Sequence, residues 1–145
     1  MLGAIFGDIV GSTYEFFNTR NYNFEMFPHG SNYTDDSILT IAVADAVLRG
    51  KDYEKTIYEW AMKYPNPKGA YGGSFFRWMY SEKQEPYGSF GNGSAMRVSD
   101  VGWLFDDEET LLNEAKKSAE CTHNHPEGIK GAQATAMAVF LVRKG

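Results

Sequence analysis

Two adjacent carboxylates and a hydroxyl begin a predicted helix in Thr34-Asp35-Asp36-Ser37. They form a compact set of hard oxygen donors, the kind of ligand that Mg²⁺ and Mn²⁺ favour. The alternative is an ordinary helix start, in which Thr34 caps the helix and both acids interact with its dipole. Spacing alone favours the cap. Because the two carboxylates face each other's charge, we expect the pKa of at least one of them to be raised.

A glycine-rich loop leads into another predicted helix in Ser89-Phe90-Gly91-Asn92-Gly93-Ser94-Ala95-Met96-Arg97. Backbone N–H groups that are not crowded by Cβ atoms can surround a phosphate, and the helix dipole assists. The segment matches neither the P-loop nor the dinucleotide-binding fingerprint. Taken alone, the segment is better explained as a plain Gly-Asn-Gly turn.

Glu15 follows a glycine-rich stretch and stands among Tyr14, Phe16 and Phe17. A carboxyl group surrounded by aromatic rings can have a raised pKa, which suits acid or base catalysis. The alternative is an exposed glutamate on a helix, and it is favoured when Glu15 is considered by itself.

Three potential zinc ligands fall within Cys121-Thr122-His123-Asn124-His125. A structural zinc site normally takes four ligands, often in paired motifs, and the sequence has no second pair. We therefore interpret His123 as a hydrogen-bonding group and His125, before Pro126, as the residue that starts the last helix.

Hydrophobic periodicity predicts one all-α domain over residues 1–145. The helix over 34–49 should be central and buried, because apolar residues cover most of its surface. Gly3, Gly7 and Gly11 share one face of a helix over 2–17, where they should let another helix approach closely. No segment shows strand alternation. Other helices are predicted over 53–64, 73–81, 107–120 and 126–144, with long loops at 18–33, 65–72 and 84–94.

The acidic balance argues against a nucleic-acid-binding surface, since the net charge is −5 and such surfaces are normally basic. The same balance fits a site for metal cations, although it also fits an ordinary soluble protein. One cysteine permits no intrachain disulfide, which favours a reducing compartment. The sequence shows neither a signal peptide nor a membrane-spanning run, so we expect a cytoplasmic protein with no membrane association.

Four blocks together resemble the ADP-ribosylglycohydrolase family, to which dinitrogenase-reductase-activating glycohydrolase belongs. In order, they are Gly7-Asp8-Ile9-Val10-Gly11-Ser12-Thr13-Tyr14-Glu15, Thr34-Asp35-Asp36-Ser37, Gly91-Asn92-Gly93-Ser94-Ala95-Met96-Arg97 and Thr122-His123. The resemblance covers nearly the whole chain and looks like the family's first half. It implies an all-α fold, two Mg²⁺ or Mn²⁺ ions, and hydrolysis of the glycosidic bond that joins ADP-ribose to a protein side chain or a small acceptor.

The resemblance also implies roles for single residues. Thr34, Asp35 and Asp36 match metal ligands, with Asp36 also placed at the reaction centre. Glu15 matches a glutamate that serves as acid/base or gates the substrate, and His123 matches a substrate contact. The residues that match the diphosphate-binding loop, and so are predicted to bind substrate, are Ser89, Phe90, Gly91, Asn92, Gly93, Ser94 and Met96.

The sequence departs from the family pattern in several places. Ser37 replaces a frequent threonine, and Phe90 replaces a frequent tyrosine. The family's second metal-binding block lies beyond this length, so the chain is expected to be truncated, inactive alone and weak in metal binding. Truncation should also expose the apolar face over 132–140 and favour self-association through the last helix. We predict that Glu15, Asp35, Asp36 and Asn92 converge on one cleft. The alternative function is an ADP-ribose-binding module without turnover.

Overall fold

The structure is a computed structural model that describes residues 2–145, and helices dominate this range. No strand occurs within it, and an isolated parallel bridge joins Thr34 to Lys68. The predicted all-α fold is therefore confirmed. The helices are α1 (Leu2–Gly11), α2 (Asp35–Arg49), α3 (Tyr53–Lys63), α4 (Gly73–Met79), α5 (Gly93–Met96), α6 (Ser99–Leu104), α7 (Glu108–Glu120) and α8 (Pro126–Lys144).

Helix α2 is the centre of the fold, as its apolar composition predicts. It packs against α1, α3, α5 and α6. Thr34 caps its N-terminus by accepting a hydrogen bond from the Asp36 N–H, and Gly50 ends it with a left-handed φ of 60°. Ile38, Ala42 and Val43 are almost fully buried. A buried helix with a fixed start holds the acidic residues of its first turn in place.

Helix α8 forms the second half of the core together with α5, α6 and α7. Its stripe of Ala132, Ala136 and Phe140 is buried. The expectation that this stripe is exposed is therefore wrong, because α6 and α7 cover it. Self-association through the last helix stays a prediction. The exposed large apolar side chains of α8 are Leu141 and Val142, which lie beyond the stripe.

Helix α1 is shorter than predicted and ends at Gly11. The Ser12 hydroxyl donates to the Ile9 carbonyl, and the Tyr14 N–H donates to the Gly11 carbonyl, so the chain turns there. Glu15 consequently lies in the turn and not on a helix. A Cβ on any of the three α1 glycines would meet nothing within 4 Å in the described chain, so these glycines do not serve close helix packing there.

The other boundaries differ from prediction by one or two residues. Asp107 caps α7 and does not belong to it, and His125 caps α8 through Nδ1, as its position before Pro126 predicts. The short helix α6 was not predicted. No helix in the described range is both long and apolar enough to cross a membrane.

Candidate active site

The carboxylate of Asp8 in α1 accepts hydrogen bonds from the first residues at the start of α2. Its Oδ2 accepts hydrogen bonds from the Thr34 N–H at 2.8 Å, the Ser37 N–H at 3.2 Å and the Ser37 hydroxyl at 2.6 Å. Its Oδ1 accepts from the Thr34 hydroxyl at 2.6 Å. One carboxylate thus satisfies both main-chain and side-chain donors at the first turn of α2, where N–H groups lack helical partners.

The Thr34 hydroxyl has one proton to give and two carboxylates near it. Its oxygen lies 2.6 Å from Asp8 Oδ1 and 3.3 Å from Asp36 Oδ2, so the proton goes to Asp8. The oxygen also accepts the Asp36 N–H at 3.2 Å. Because Asp8 takes the proton, one lone pair of Thr34 and the carboxylate of Asp36 remain available on the same side of the helix start.

Asp35 and Asp36 are half-buried carboxyl groups with raised pKa values, so the predicted direction is confirmed, although burial is a larger cause than the adjacent charge. Burial raises the pKa of Asp35 to about 7, and the charge of Asp36 adds to the increase. Burial also raises the pKa of Asp36, followed by the charge of Asp8. A nearby cation would offset these effects, since it favours the charged form of both groups.

Glu15 reaches the same region from the turn after α1. A Cβ on Gly69, whose φ is 80°, would lie 2.8 Å from Glu15 Oε2. The side chain of Glu15 therefore rests against the bare backbone of the 64–72 loop. Its charge is close enough to Asp35 to contribute to the raised pKa of that residue. Glu15 itself is exposed.

Two adjoining cavities divide the predicted site residues between them. The first, of about 420 Å³, is lined by Asp8, Glu15, Thr34, Asp36 and Asn92 among others. The second, of about 250 Å³, is lined by Asp35, the glycine loop and His123. Asn92 and Met96 border both cavities. Glu15, Asp36 and Asn92 therefore converge as predicted, whereas Asp35 faces the neighbouring cavity.

The glycine loop presents its backbone to the second cavity. Ser89, Gly91, Asn92, Gly93 and Met96 line that cavity. A Cβ on Gly93 would lie 3.0 Å from both Cε1 and Nε2 of His123, so a glycine is needed there for the ring to approach.

Two loop residues that were predicted to bind substrate point elsewhere. Ser94 is fully buried, and its hydroxyl donates to the Gly128 carbonyl at 2.8 Å, which ties the loop to α8. Phe90 is 73% exposed and contacts the His125 ring with centroids 5.2 Å apart. Neither side chain lines the two cavities.

The oxygen donors at the start of α2 are of the type that a hard cation prefers, but there are too few of them to complete its coordination. Thr34 and Asp36 offer oxygen ligands at one cavity, and Asp35 lies beside them. Within residues 2–145, however, no group of three or more His, Cys, Asp or Glu side chains is arranged to hold a metal ion. Mg²⁺ prefers six oxygens in near-octahedral order. These residues would therefore supply one side of a metal site.

The sequence model that describes ADP-ribosylglycohydrolases matches residues 1–145, which is every residue of the chain. The chain belongs to the ADP-ribosylglycohydrolase family. This family is typically metal-dependent. Membership confirms the resemblance that the four sequence blocks carry, and it agrees with the helical architecture.

Curated relatives give the same result. The chain is 29% identical to ADP-ribosylhydrolase ARH3 of Mus musculus, over all of this chain and 48% of that protein. It is 29% identical to ADP-ribosylhydrolase ARH3 of Homo sapiens, over all of this chain and 49% of that protein. For ADP-ribosylhydrolase ARH3 of Xenopus tropicalis the identity is 26%, again over all of this chain and 49% of the relative. The chain thus spans about half the length of these ADP-ribosylglycohydrolase relatives.

Two residues that organise this ADP-ribosylglycohydrolase site carry no role that the sequence pattern predicts. Asp8 was visible only as part of a motif, because its partners lie 26 and 29 residues away. Arg97 was treated as the end of the glycine loop, yet it is fully buried beside His123. A fully buried arginine is rare, and its position directly after a ligand-binding motif is the signal that could have identified it.

Proposed function

We propose that this protein hydrolyses the glycosidic bond between ADP-ribose and a protein side chain or a small acceptor. The observation that carries the proposal is the placement of Glu15, Asp36 and Asn92 around one cleft that adjoins the glycine-loop cavity. Membership of the ADP-ribosylglycohydrolase family supports it. So do the relatives, each of which is named an ADP-ribosylhydrolase.

Glycoside cleavage passes through a transition state with oxocarbenium character, which gains from nearby negative charge. Asp36 provides such a charge in the first cavity, and Asp35 provides another beside it. When bound, two Mg²⁺ or Mn²⁺ ions would orient the ribose hydroxyls and make a water molecule more nucleophilic. Thr34, Asp35 and Asp36 are the residues that we assign to hold them. Asp8 keeps Thr34 in position by accepting its proton.

The glycine loop anchors the distant part of the substrate in this proposal. Backbone groups of Gly91, Asn92 and Gly93 face the second cavity, where they would hold the diphosphate, and His123 borders the same space. Binding energy from these groups aligns the scissile bond with Asp36, as remote contacts do in enzymes generally. Met96 lies at the boundary of both cavities, where the ribose next to the scissile bond would pass.

Glu15 has two roles that its position supports. It lines the cleft of Asp36, which suits proton transfer to the leaving group or from water. It is also exposed and rests on the 64–72 loop, which suits a gate at the entrance. Glu15→Gln separates the two roles, because it removes proton transfer while keeping size and hydrogen bonding. A loss of kcat with unchanged KM indicates acid/base catalysis, whereas unchanged kcat and KM indicate a gate that depends on size and hydrogen bonding.

The hydrolase proposal is tested by measuring release of free ADP-ribose. Peptides that carry ADP-ribose on arginine or on serine are incubated with Mg²⁺ and with the protein expressed from its complete coding sequence. We expect release from at least one of them, and we expect Asp36→Asn to reduce kcat by about 100-fold or more, as loss of a principal electrostatic group does. Asp106→Asn is the matched control, since Asp106 is an exposed acid that pairs with Arg143 and Lys144 and lines neither cavity.

A second function, ADP-ribose binding without turnover, is favoured by one observation. Within residues 2–145, the potential metal ligands do not form a group of three or more. Calorimetric titration with ADP-ribose, beside the release assay, distinguishes the two functions. Binding without release from either peptide supports the binding module and contradicts the hydrolase.

A further inference from the structure

We propose that Arg97 and Thr122 are positioning residues that fix His123 as a neutral imidazole with its proton on Nε2. The Nε2–H then donates to an acceptor oxygen of the ligand at the glycine loop. This inference rests on the proposed function only for the identity of that ligand. The hydrogen-bond order Arg97 to Thr122 to His123 is a property of the protein itself.

Thr122 lies between the guanidinium of Arg97, which can only donate hydrogen bonds, and the imidazole of His123, which can donate or accept them. Arg97 Nη2 lies 2.9 Å from Thr122 Oγ1 and 2.7 Å from the Ser118 carbonyl oxygen. Thr122 Oγ1 also lies 2.8 Å from His123 Nδ1. Since a guanidinium has no acceptor, the threonine oxygen accepts from Arg97, and its single proton is free to go to His123.

The reverse order is less favourable. If Nδ1–H donated to Thr122, the oxygen would accept two N–H groups and its own proton would need a third partner. The phenol of Tyr87 is the competing partner: burial raises the pKa of Tyr87 to about 12, and a hydrogen bond from Thr122 acts in the opposite direction. An imidazole nitrogen is a much stronger base than a phenol oxygen, so the proton of Thr122 goes to Nδ1. Nδ1 is then an acceptor, which leaves the ring proton on Nε2.

Burial and the charge of Arg97 together keep His123 neutral. Arg97 is fully buried, and none of the ion pairs within residues 2–145 includes it. The neighbouring Cys121 does not supply a negative charge, because burial raises the pKa of its thiol. Burial lowers the pKa of His123 to about 4, and the charge of Arg97 adds to the decrease. A doubly protonated ring would be repelled by the guanidinium.

The free edge of His123 faces the glycine loop. A Cβ on Gly93 would lie 3.0 Å from Nε2, and one on Gly91 would lie 4.0 Å from it. Within the described chain Nε2 of His123 has no hydrogen-bond partner. It is also not one of the fully buried polar atoms that lack a partner, so it is accessible from the cavity. The ring edge is therefore open to the cavity, beside the backbone that we assign to the diphosphate. A neutral donor there binds an oxygen without depending on protonation of the ring.

The position of the proton is measured directly from imidazole ¹⁵N shifts. The protein has three histidines, so His29→Gln and His125→Gln assign the signals of ¹⁵N-histidine-labelled protein. We expect a pyrrole-type shift at Nε2 and a pyridine-type shift at Nδ1 of His123 at neutral pH. A proton on Nδ1, or a protonated ring at neutral pH, would overturn the proposal.

Three variants test the two positioning residues. Thr122→Ser keeps the hydroxyl and should leave the His123 signals and the ADP-ribose affinity unchanged. Thr122→Val removes it and should move the Nδ1 shift, raise the pKa of His123 and weaken ADP-ribose binding by about tenfold, the usual effect of one lost hydrogen bond. Arg97→Gln removes the positive charge while keeping an N–H donor, and it should also raise that pKa. Unchanged His123 signals in a folded Thr122→Val protein contradict the role of Thr122. If Thr122→Val or Arg97→Gln does not fold, the wild-type and Thr122→Ser spectra decide the question alone.

The two proposals fail in different ways. Absence of ADP-ribose release with the proton on Nε2 contradicts the hydrolase function and leaves the positioning of His123 supported. Release of ADP-ribose with the proton on Nδ1 supports the hydrolase and contradicts the positioning. The spectra need no substrate, so the tautomer is determined even if no substrate has been identified.

Discussion

At the scale of single residues, Asp8 shows how one side chain can organise a site without belonging to the reaction. Its two oxygens accept four hydrogen bonds from Thr34 and Ser37. A carboxylate can accept all four, whereas an amide has one oxygen and one NH₂ group. The position therefore requires an acid, even though the negative charge of Asp8 disfavours the charged form of Asp36.

We predict that Asp8→Asn lowers the free energy of unfolding by about 1–3 kcal/mol, because its NH₂ group would face a donor at the start of α2. Urea denaturation measures the change. Asp52→Asn is the matched control, since Asp52 caps α3 through a single hydrogen bond to the Lys55 N–H that asparagine also makes. The control should change stability by less than about 0.5 kcal/mol. Equal effects of the two substitutions would contradict the role assigned to Asp8.

At the scale of elements, the glycine loop and α8 meet without space for a side chain. A Cβ on Gly128 would lie 2.6 Å from the Ser89 carbonyl oxygen and 3.1 Å from the His123 carbonyl oxygen. Because these neighbours are backbone atoms, the loop itself would have to move. The first turn of α8 thus fixes the position of the loop, together with the hydrogen bond from Ser94 to the Gly128 carbonyl.

We predict that Gly128→Ala destabilises the protein by about 1–3 kcal/mol, the range for overpacking, and weakens ADP-ribose binding by displacing the loop. Gly131→Ala lies one turn further along α8, where a Cβ would make only an ordinary contact at 3.9 Å with Ala95. It should be neutral or stabilising by up to about 1 kcal/mol, because alanine has the higher helix propensity. Thermal melts and calorimetry compare the two variants, and a destabilised Gly131→Ala protein would show that helix position alone explains the effect.

The helices with strong signals were predictable from the sequence. The apolar run of α2 between Thr34 and Gly50 and the alanine-rich α8 after Pro126 have caps and periodicity that agree. The predicted α1 was too long, because its glycine spacing suggests a packed helical face. In the structure the Ser12 hydroxyl donates to the Ile9 carbonyl, and the chain turns there. The site was predicted from local motifs, and the contacts between motifs were not, since no periodicity relates Asp8 to Thr34 or Arg97 to Thr122.

At the scale of the whole molecule, the acidic cleft makes stability depend on pH. The pKa of Asp35 is raised from its usual 3.8 to about 7 in the folded protein, so the folded state binds more protons than the unfolded chain between these values. Stability from this group is complete below about pH 4 and is lost as the pH rises through about 7. Asp36 acts in the same direction. His123, whose pKa is lowered to about 4, acts in the opposite direction.

Comparison of wild-type protein with Asp35→Asn removes the contribution of His123, which both proteins share. In metal-free solution we predict that Asp35→Asn is increasingly more stable than wild type as the pH rises from about 4 to about 8. The gain should reach roughly 2 kcal/mol after allowance for solvent screening. Chemical denaturation at several pH values measures it. Mg²⁺ at pH 8 should narrow the difference by stabilising wild type, and a pH-independent difference would contradict the raised pKa.

None of the residues of α1 is buried, although Asp8 anchors that helix firmly to the start of α2. A helix held by hydrogen bonds, with little apolar surface removed from water, has a low free energy of local opening. The first turns of the chain should therefore detach and return as a unit while α2 and α8 stay closed. We expect amide hydrogens of α1 to exchange with deuterium much faster than those of α2, and Asp8→Asn to speed exchange in α1 while α8 is unaffected. Each detachment would take Asp8 away from Thr34, so the Thr34 hydroxyl is held in position beside Asp36 only while the N-terminal helix is docked.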